Sequence, residues 1–215
     1  MRVVPLLSCS ESPTRWREHT AVELRLDGGP TAPWIGAVAS GLEVHALHAP
    51  AGTWVPNPGS LLVTGLAPDF LVLPTEIPTD RAGTTALLGA LELLLTVSAG
   101  PRIALRPRPG EARALARLLD DVQGHAIGFC WDPSLDHELE ALQDRLLTAV
   151  AAPHASLAEL ARLGYRWNVA LPASDPEAFR NERDTLNRPE PELPLPGAVL
   201  PEVSLRWGAA WGETP

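Results

Sequence analysis

The sequence contains no lysine; all seventeen of its basic residues are arginine. That single absence excludes a Schiff-base lysine, a pyridoxal-phosphate lysine, a phosphate-loop lysine and a lysine general base. Cysteine is scarce too. Cys9 and Cys130 lie far apart and outside any CxxC spacing, which points to reduced thiols and a cytoplasmic setting rather than to a disulfide framework or a redox motif. No apolar run approaches the length that spans a bilayer: the greasiest stretch, Leu91 to Val97, is interrupted by Glu92 and closed by Gly100-Pro101. The N-terminal MRVVPLLSCSES has one Arg, a short apolar run and no small-residue cleavage site, so it reads as a first strand and not as a signal peptide. A net charge of −9 with no basic run argues against nucleic-acid binding, which needs phosphate neutralisation. Neither GxGxxG nor GxxxxGK[ST] follows any candidate strand.

What is present is an alternation. At 215 residues, 45 % of them apolar, the chain is long enough for one well-packed domain. Short β-like runs occur at Arg2–Ser8, Ala21–Leu26, Leu42–Leu47, Phe70–Pro74, Arg102–Leu105, Ala126–Trp131, Leu147–Ala151 and Trp167–Leu171. Helical stripes separate several of them: Leu87, Leu88, Leu91, Leu94 and Leu95; then Leu115, Leu118, Leu119 and Val122, with Gly124 as C-cap; then Leu135, Leu139, Leu142 and Leu146. Asp175-Pro176 supplies an N-cap and a first-turn proline, Ser156 with Glu159 has capping-box spacing, and Gly164 ends that short helix. Between Pro50 and Pro68 the pattern lapses into Gly and Pro, a loop in place of most of the third helix. Eight β/α units in this length predict a compact α/β fold, a (β/α)8 TIM barrel over residues 1–187; the rival is an open doubly wound sheet. Residues 188–215 form a Pro-rich tail whose Trp207 and Trp211 are expected to pack on the barrel or on a partner chain, with a homodimer as one outcome.

Four segments carry a family resemblance. The second strand AVELRLDG is close to a "vElr" pattern, and GLEVHALHAP ends the third strand on HAP. RIALRPRPGEARALARLLDDV is laid out like "lEn.pg…l..ll..v", and AIGFCWDPSLDH resembles "vglclDtgH". Together, in that order, they resemble the xylose-isomerase-like barrels, a group of sugar isomerases, epimerases and endonuclease IV. The resemblance implies divalent metal (Mn, Mg, Co or Zn) at the C-terminal ends of the strands, with His48, Asp132 and His154 as the matching ligands. The departures are chemical. Arg106 stands at the fifth-strand glutamate position, Leu135 breaks the Asp-x-x-His spacing with His137 two residues further on, and the eighth strand WNVALP has no glutamate. Without those carboxylates no bound metal or other cofactor is expected. Arg106 and Arg108 suit a carboxylate or phosphate held bidentately, with His48 and His137 as further ligand contacts. Asp132, His154 and Glu76 are the candidate catalytic groups of the rival reading, a metal-dependent sugar or sugar-phosphate isomerase or epimerase. Each has a bland counterpart: a strand-end histidine, a turn aspartate, a loop histidine, an ion pair across the mouth. Cys130 is expected in the core. The favoured reading is a binder of a small anionic or sugar-like molecule that has lost or altered its catalysis.

Overall fold

A computed structural model describes residues 1–50, 65–97, 101–122, 126–133, 145–152, 157–162 and 164–187. Eight strands run in chain order: β1 (Arg2–Ser8), β2 (Ala21–Arg25), β3 (Glu43–His48), β4 (Phe70–Thr75), β5 (Arg102–Pro107), β6 (Ile127–Trp131), β7 (Leu146–Val150) and β8 (Asn168–Pro172). Neighbours in sequence are neighbours in space, every pair is parallel, and β8 returns to β1 with Arg2 opposite Asn168 and Leu6 opposite Pro172. The sheet is therefore a closed barrel, and the open doubly wound alternative is excluded. Five α-helices are described: α1 (Ala32–Ala39), α2 (Arg81–Val97), α3 (Ala112–Asp121), α4 (Ala158–Arg162) and α5 (Pro176–Leu186).

Side-chain alternation sorts each strand into an inward and an outward set. Outward residues such as Val22, Leu24, Leu71, Leu73, Ile103, Leu105, Phe129, Val169 and Leu171 meet the helices in one large core. Inward residues Leu6, Ala46, Phe70, Val72, Ala104, Cys130, Val150 and Ala170 fill the barrel itself. Alanine on three of those strands leaves room for polar side chains inside. Glu23, opposite Ala46, uses that room. The β2–β3 register slips between Val22 and Glu23, leaving His45 as the extra residue on β3.

The local signals behave as their chemistry requires. Asp175 caps α5 by accepting hydrogen bonds from the N–H groups of Glu177 and Ala178 at 3.0 and 2.8 Å. Gly164, at φ +77°, lets the chain turn out of α4 while Tyr165 N–H donates to the Leu160 carbonyl. One stripe is corrected: Leu146 opens β7 and does not extend a helix, because its strand pairs with Phe129 of β6. Leu135, Leu139 and Leu142, the 51–64 stretch expected to replace the third helix, Gly124, Ser156 and the tail with Trp207 and Trp211 lie outside the described residues. Among the described residues, no helix is long and apolar enough to cross a membrane.

Candidate active site at the barrel mouth

β3 runs one residue further than its sequence pattern suggests, so His48 is the last residue of the strand and stands at the C-terminal mouth. Its side chain is buried. Nε2 lies 2.6 Å from Oε2 of Glu23, which is fully buried. The other carboxylate oxygen, Oε1, has no hydrogen-bond partner among the described residues. Glu23 was not singled out from sequence, although the signal was there. In AVELR, Val22 and Leu24 are the apolar outward pair, so period-two alternation turns Glu23 inward.

β5 is also longer than expected, ending at Pro107, which makes Arg106 an inward-facing strand residue. Its Nε donates to Oδ2 of Asp132 at 2.6 Å. Asp132 follows β6 directly and is nearly buried, whereas the Arg106 side chain keeps 38 % of its surface exposed. The two Nη groups of Arg106 have no hydrogen-bond partner among the described residues. Outside this pair, Arg108 Nη2 meets Glu76 Oε2 at 2.8 Å, with both side chains 64 % exposed. At the ends of β1 and β2, the Ser8 hydroxyl donates to Asp27 and holds its carboxyl below the usual carboxylate range.

Cys130 faces the barrel interior one inward step below Asp132, fully buried. Burial pushes its thiol far above the ordinary range; Arg106 pulls it down, while Glu23 and Asp132 push it up. A thiol so placed stays protonated and is no nucleophile. Cys9, on the outer core, is likewise pushed up to about 11 by burial and then by Asp27.

The mouth thus gathers His48 from β3, Glu76 after β4, Arg106 and Arg108 from β5 and its end, and Asp132 after β6. His137 and His154 lie outside the described residues. Each of these three acids has a basic side chain against it: Glu23 with His48, Asp132 with Arg106, Glu76 with Arg108. This donor set does not suit a divalent metal. The guanidinium is permanently charged and has no lone pair to offer, it already engages Asp132, and Glu23 and His48 engage each other. No group of three or more His, Cys, Asp or Glu side chains that could hold a metal occurs among the described residues.

No protein-family model and no curated protein matches the chain. Among solved structures, it is similar to a xylose isomerase domain protein from Planctomyces limnophilus, at 14 % identity and a TM-score of 0.62, over 86 % of this chain and 93 % of that one. The fold is a compact (β/α)8 TIM barrel of the xylose-isomerase-like kind. At that identity the likeness concerns the fold and carries no activity with it.

Proposed function

We propose that the barrel mouth binds a small molecule bearing a carboxylate or phosphate, without a resident metal. One observation carries the reading: Arg106 is anchored through Nε on the nearly buried Asp132 while its Nη groups stay uncommitted and partly exposed. A guanidinium fixed on one edge and open on the other presents two parallel donors, the geometry that grips an oxyanion bidentately. Anchoring also removes part of the side-chain entropy that binding would otherwise cost. Arg108, paired with Glu76 on the rim, is the second guanidinium at this mouth.

The test is calorimetric titration with inorganic phosphate and with small mono- and dicarboxylates. Arg106→Met is expected to weaken binding about 10- to 100-fold, in line with the loss of charge-assisted hydrogen bonds of about 1.5–3 kcal/mol. Equal binding by both proteins would remove the mouth as the site.

A second reading, a sugar or sugar-phosphate isomerase or epimerase, is favoured by the pair Glu23–His48. A histidine held by a buried carboxylate is the arrangement from which a proton is moved to and from a substrate. Its metal-dependent form is opposed by the Arg106–Asp132 pair. The two readings separate by incubating phosphorylated ketoses with the protein in D2O: deuterium entering beside the carbonyl supports proton transfer, and binding without exchange supports the first.

A further inference from the structure

The floor of the barrel, at the end opposite the mouth, holds a recess of about 490 Å3, a size suited to one small molecule. It spans the barrel from the start of β4 and β5 to the start of β8. Phe70 of the inward set lines it, with the His45 ring against its edge at 5.1 Å between centroids. Pro68, Pro101 and Trp167 complete the apolar wall. Trp167 is 60 % exposed, whereas Trp16, Trp34 and Trp131 are buried. An indole left in water beside prolines is an open stacking surface.

Two opposite charges share this recess and do not pair. Arg102 opens β5 next to Asp69, and its backbone N–H donates to the Asp69 carbonyl at 2.9 Å. Yet its guanidinium makes no ion pair with that residue. It lies over the Phe70 ring instead, with its carbon 4.5 Å from the centroid. Held there by a ring face, its N–H donors stay uncommitted, for the side chain has no hydrogen bond or ion pair among the described residues. Asp69, 67 % exposed, engages Nδ1 of His45 through Oδ2 at 2.8 Å. Its Oδ1 has no hydrogen-bond partner among the described residues. Two residues earlier Ala67 sits at φ +41°, the one non-glycine residue with positive φ among the described residues. Such a conformation costs free energy and persists only where the surroundings enforce it, as they do at binding sites.

An α-amino acid carries an ammonium and a carboxylate on one carbon, so it can bridge a cation and an anion that stand side by side without touching. We propose that this recess binds an aromatic α-amino acid as its zwitterion, with the ring on Trp167, the carboxylate on Arg102 and the ammonium on Asp69. Each half alone fits worse. A bare carboxylate also meets the Asp69 charge, and a bare amine meets that of Arg102. An aliphatic amino acid satisfies both charges and leaves the indole uncovered. The recess lies at the other end of the barrel from Arg106, so the proposal stands apart from what the mouth binds.

The experiment titrates the full chain, labelled with 5-fluorotryptophan, with L-phenylalanine. The Trp167 resonance, assigned through Trp167→Phe, reports the recess, so binding at the mouth does not enter the readout. A saturable shift of that resonance at millimolar ligand or below is expected. Hydrocinnamate lacks the ammonium, phenethylamine lacks the carboxylate and L-leucine lacks the ring; each is expected to bind at least about tenfold more weakly. Asp69→Asn and Arg102→Gln are expected to weaken L-phenylalanine by a similar factor, and the ligand series decides alone if either variant folds poorly. A Trp167 resonance that L-phenylalanine does not move up to its solubility limit would overturn the proposal. So would hydrocinnamate or phenethylamine binding as tightly as L-phenylalanine, which would reduce the recess to a stacking surface.

Discussion

Glu23 makes its single described hydrogen bond to His48 from a fully buried position, so the two stand or fall together. Glu23→Leu leaves a buried imidazole without its hydrogen-bond partner and is expected to cost about 1–3 kcal/mol, as leaving a buried polar group unsatisfied does. Glu23→Leu with His48→Leu is expected to recover most of that loss, because the barrel interior around Ala46 is already apolar. Urea denaturation of the single and double variants measures both; a double variant as unstable as the single would show that the pair is not the unit. His19 offers a second residue-scale expectation. It lies between Trp16 and Phe179, at 5.5 and 5.1 Å between ring centroids, and burial, then Arg183, lowers its pKa from the ordinary 6.5. Arg180 and Arg2 add to the lowering, and Glu18 opposes it. The unfolded chain therefore takes up the proton first on acidification. The contribution of neutral His19 is complete above about pH 6.5 and is lost as pH falls toward the folded-state pKa. His19→Gln should flatten the stability profile between about pH 7 and about pH 5; an unchanged slope would place the titration elsewhere. At this scale the sequence was only half legible. Arg106 and Asp132 could be named as mouth residues from their strand ends, but which acid each cation would choose depends on inward neighbours from other strands. Glu23 stands in the stretch that matches the family's second strand, but its pairing with His48 depends on the β2–β3 register, which the sequence alone does not give.

Strands and helices were far more legible, because period two and period 3.6 are local properties. All eight strands stand within a residue or two of the expected runs, and Asp175 and Gly164 punctuate α5 and α4 as their chemistry predicts. Leu146 was misplaced for a reason of the same kind: leucines at helical steps carry on into the first residue of a strand, and only pairing with Phe129 decides. The β6–β7 junction bears a sharp expectation. A Cβ on Gly128 would run into the Arg145 carbonyl, with Leu147 Cγ at 2.6 Å, just before the register slip between Phe129 and Cys130. Gly128→Ala must push backbone and is expected to destabilise by about 1–3 kcal/mol. Gly89, within α2, has nothing within 4 Å of its virtual Cβ. Gly89→Ala is expected to stabilise by about 0.5–1 kcal/mol through helix propensity. Thermal unfolding of the two variants should move in opposite directions, and a shared direction would mean that strand β6 yields more easily than its packing implies.

Taken whole, the molecule is a barrel whose closure brings eight strand ends to one mouth, and the charges there decide what it can hold. A barrel that binds a divalent ion has to leave several carboxylates or imidazoles uncompensated until the ion arrives. Here three acids at the mouth are already engaged from within: Asp132 and Glu76 by the guanidinium groups of Arg106 and Arg108, and Glu23 by the His48 ring. A metal entering beside Asp132 must break a charge-assisted hydrogen bond of 2.6 Å and then endure the displaced guanidinium nearby, which no accessible pH neutralises. The absence of lysine sharpens the point. A lysine at that place could lose its proton in a low-dielectric mouth and step aside, whereas arginine cannot. The native protein is therefore expected to bind Mn²⁺ and Zn²⁺ at the mouth no more tightly than about 1 mM, less than about 4 kcal/mol of affinity. Arg106→Glu replaces the cation by a second carboxylate beside Asp132 and should raise the affinity for Mn²⁺ at least about tenfold, a change of about 1.4 kcal/mol. Calorimetric titration of both proteins after exhaustive chelation provides the measurement, with Asp132→Asn in the Arg106→Glu background to locate the site. Micromolar binding by the native protein that disappears with Asp132→Asn would mean that Arg106 swings clear at low cost. The anchored guanidinium would then be a resting contact, and the metal-dependent isomerase reading would take precedence over the anion binder.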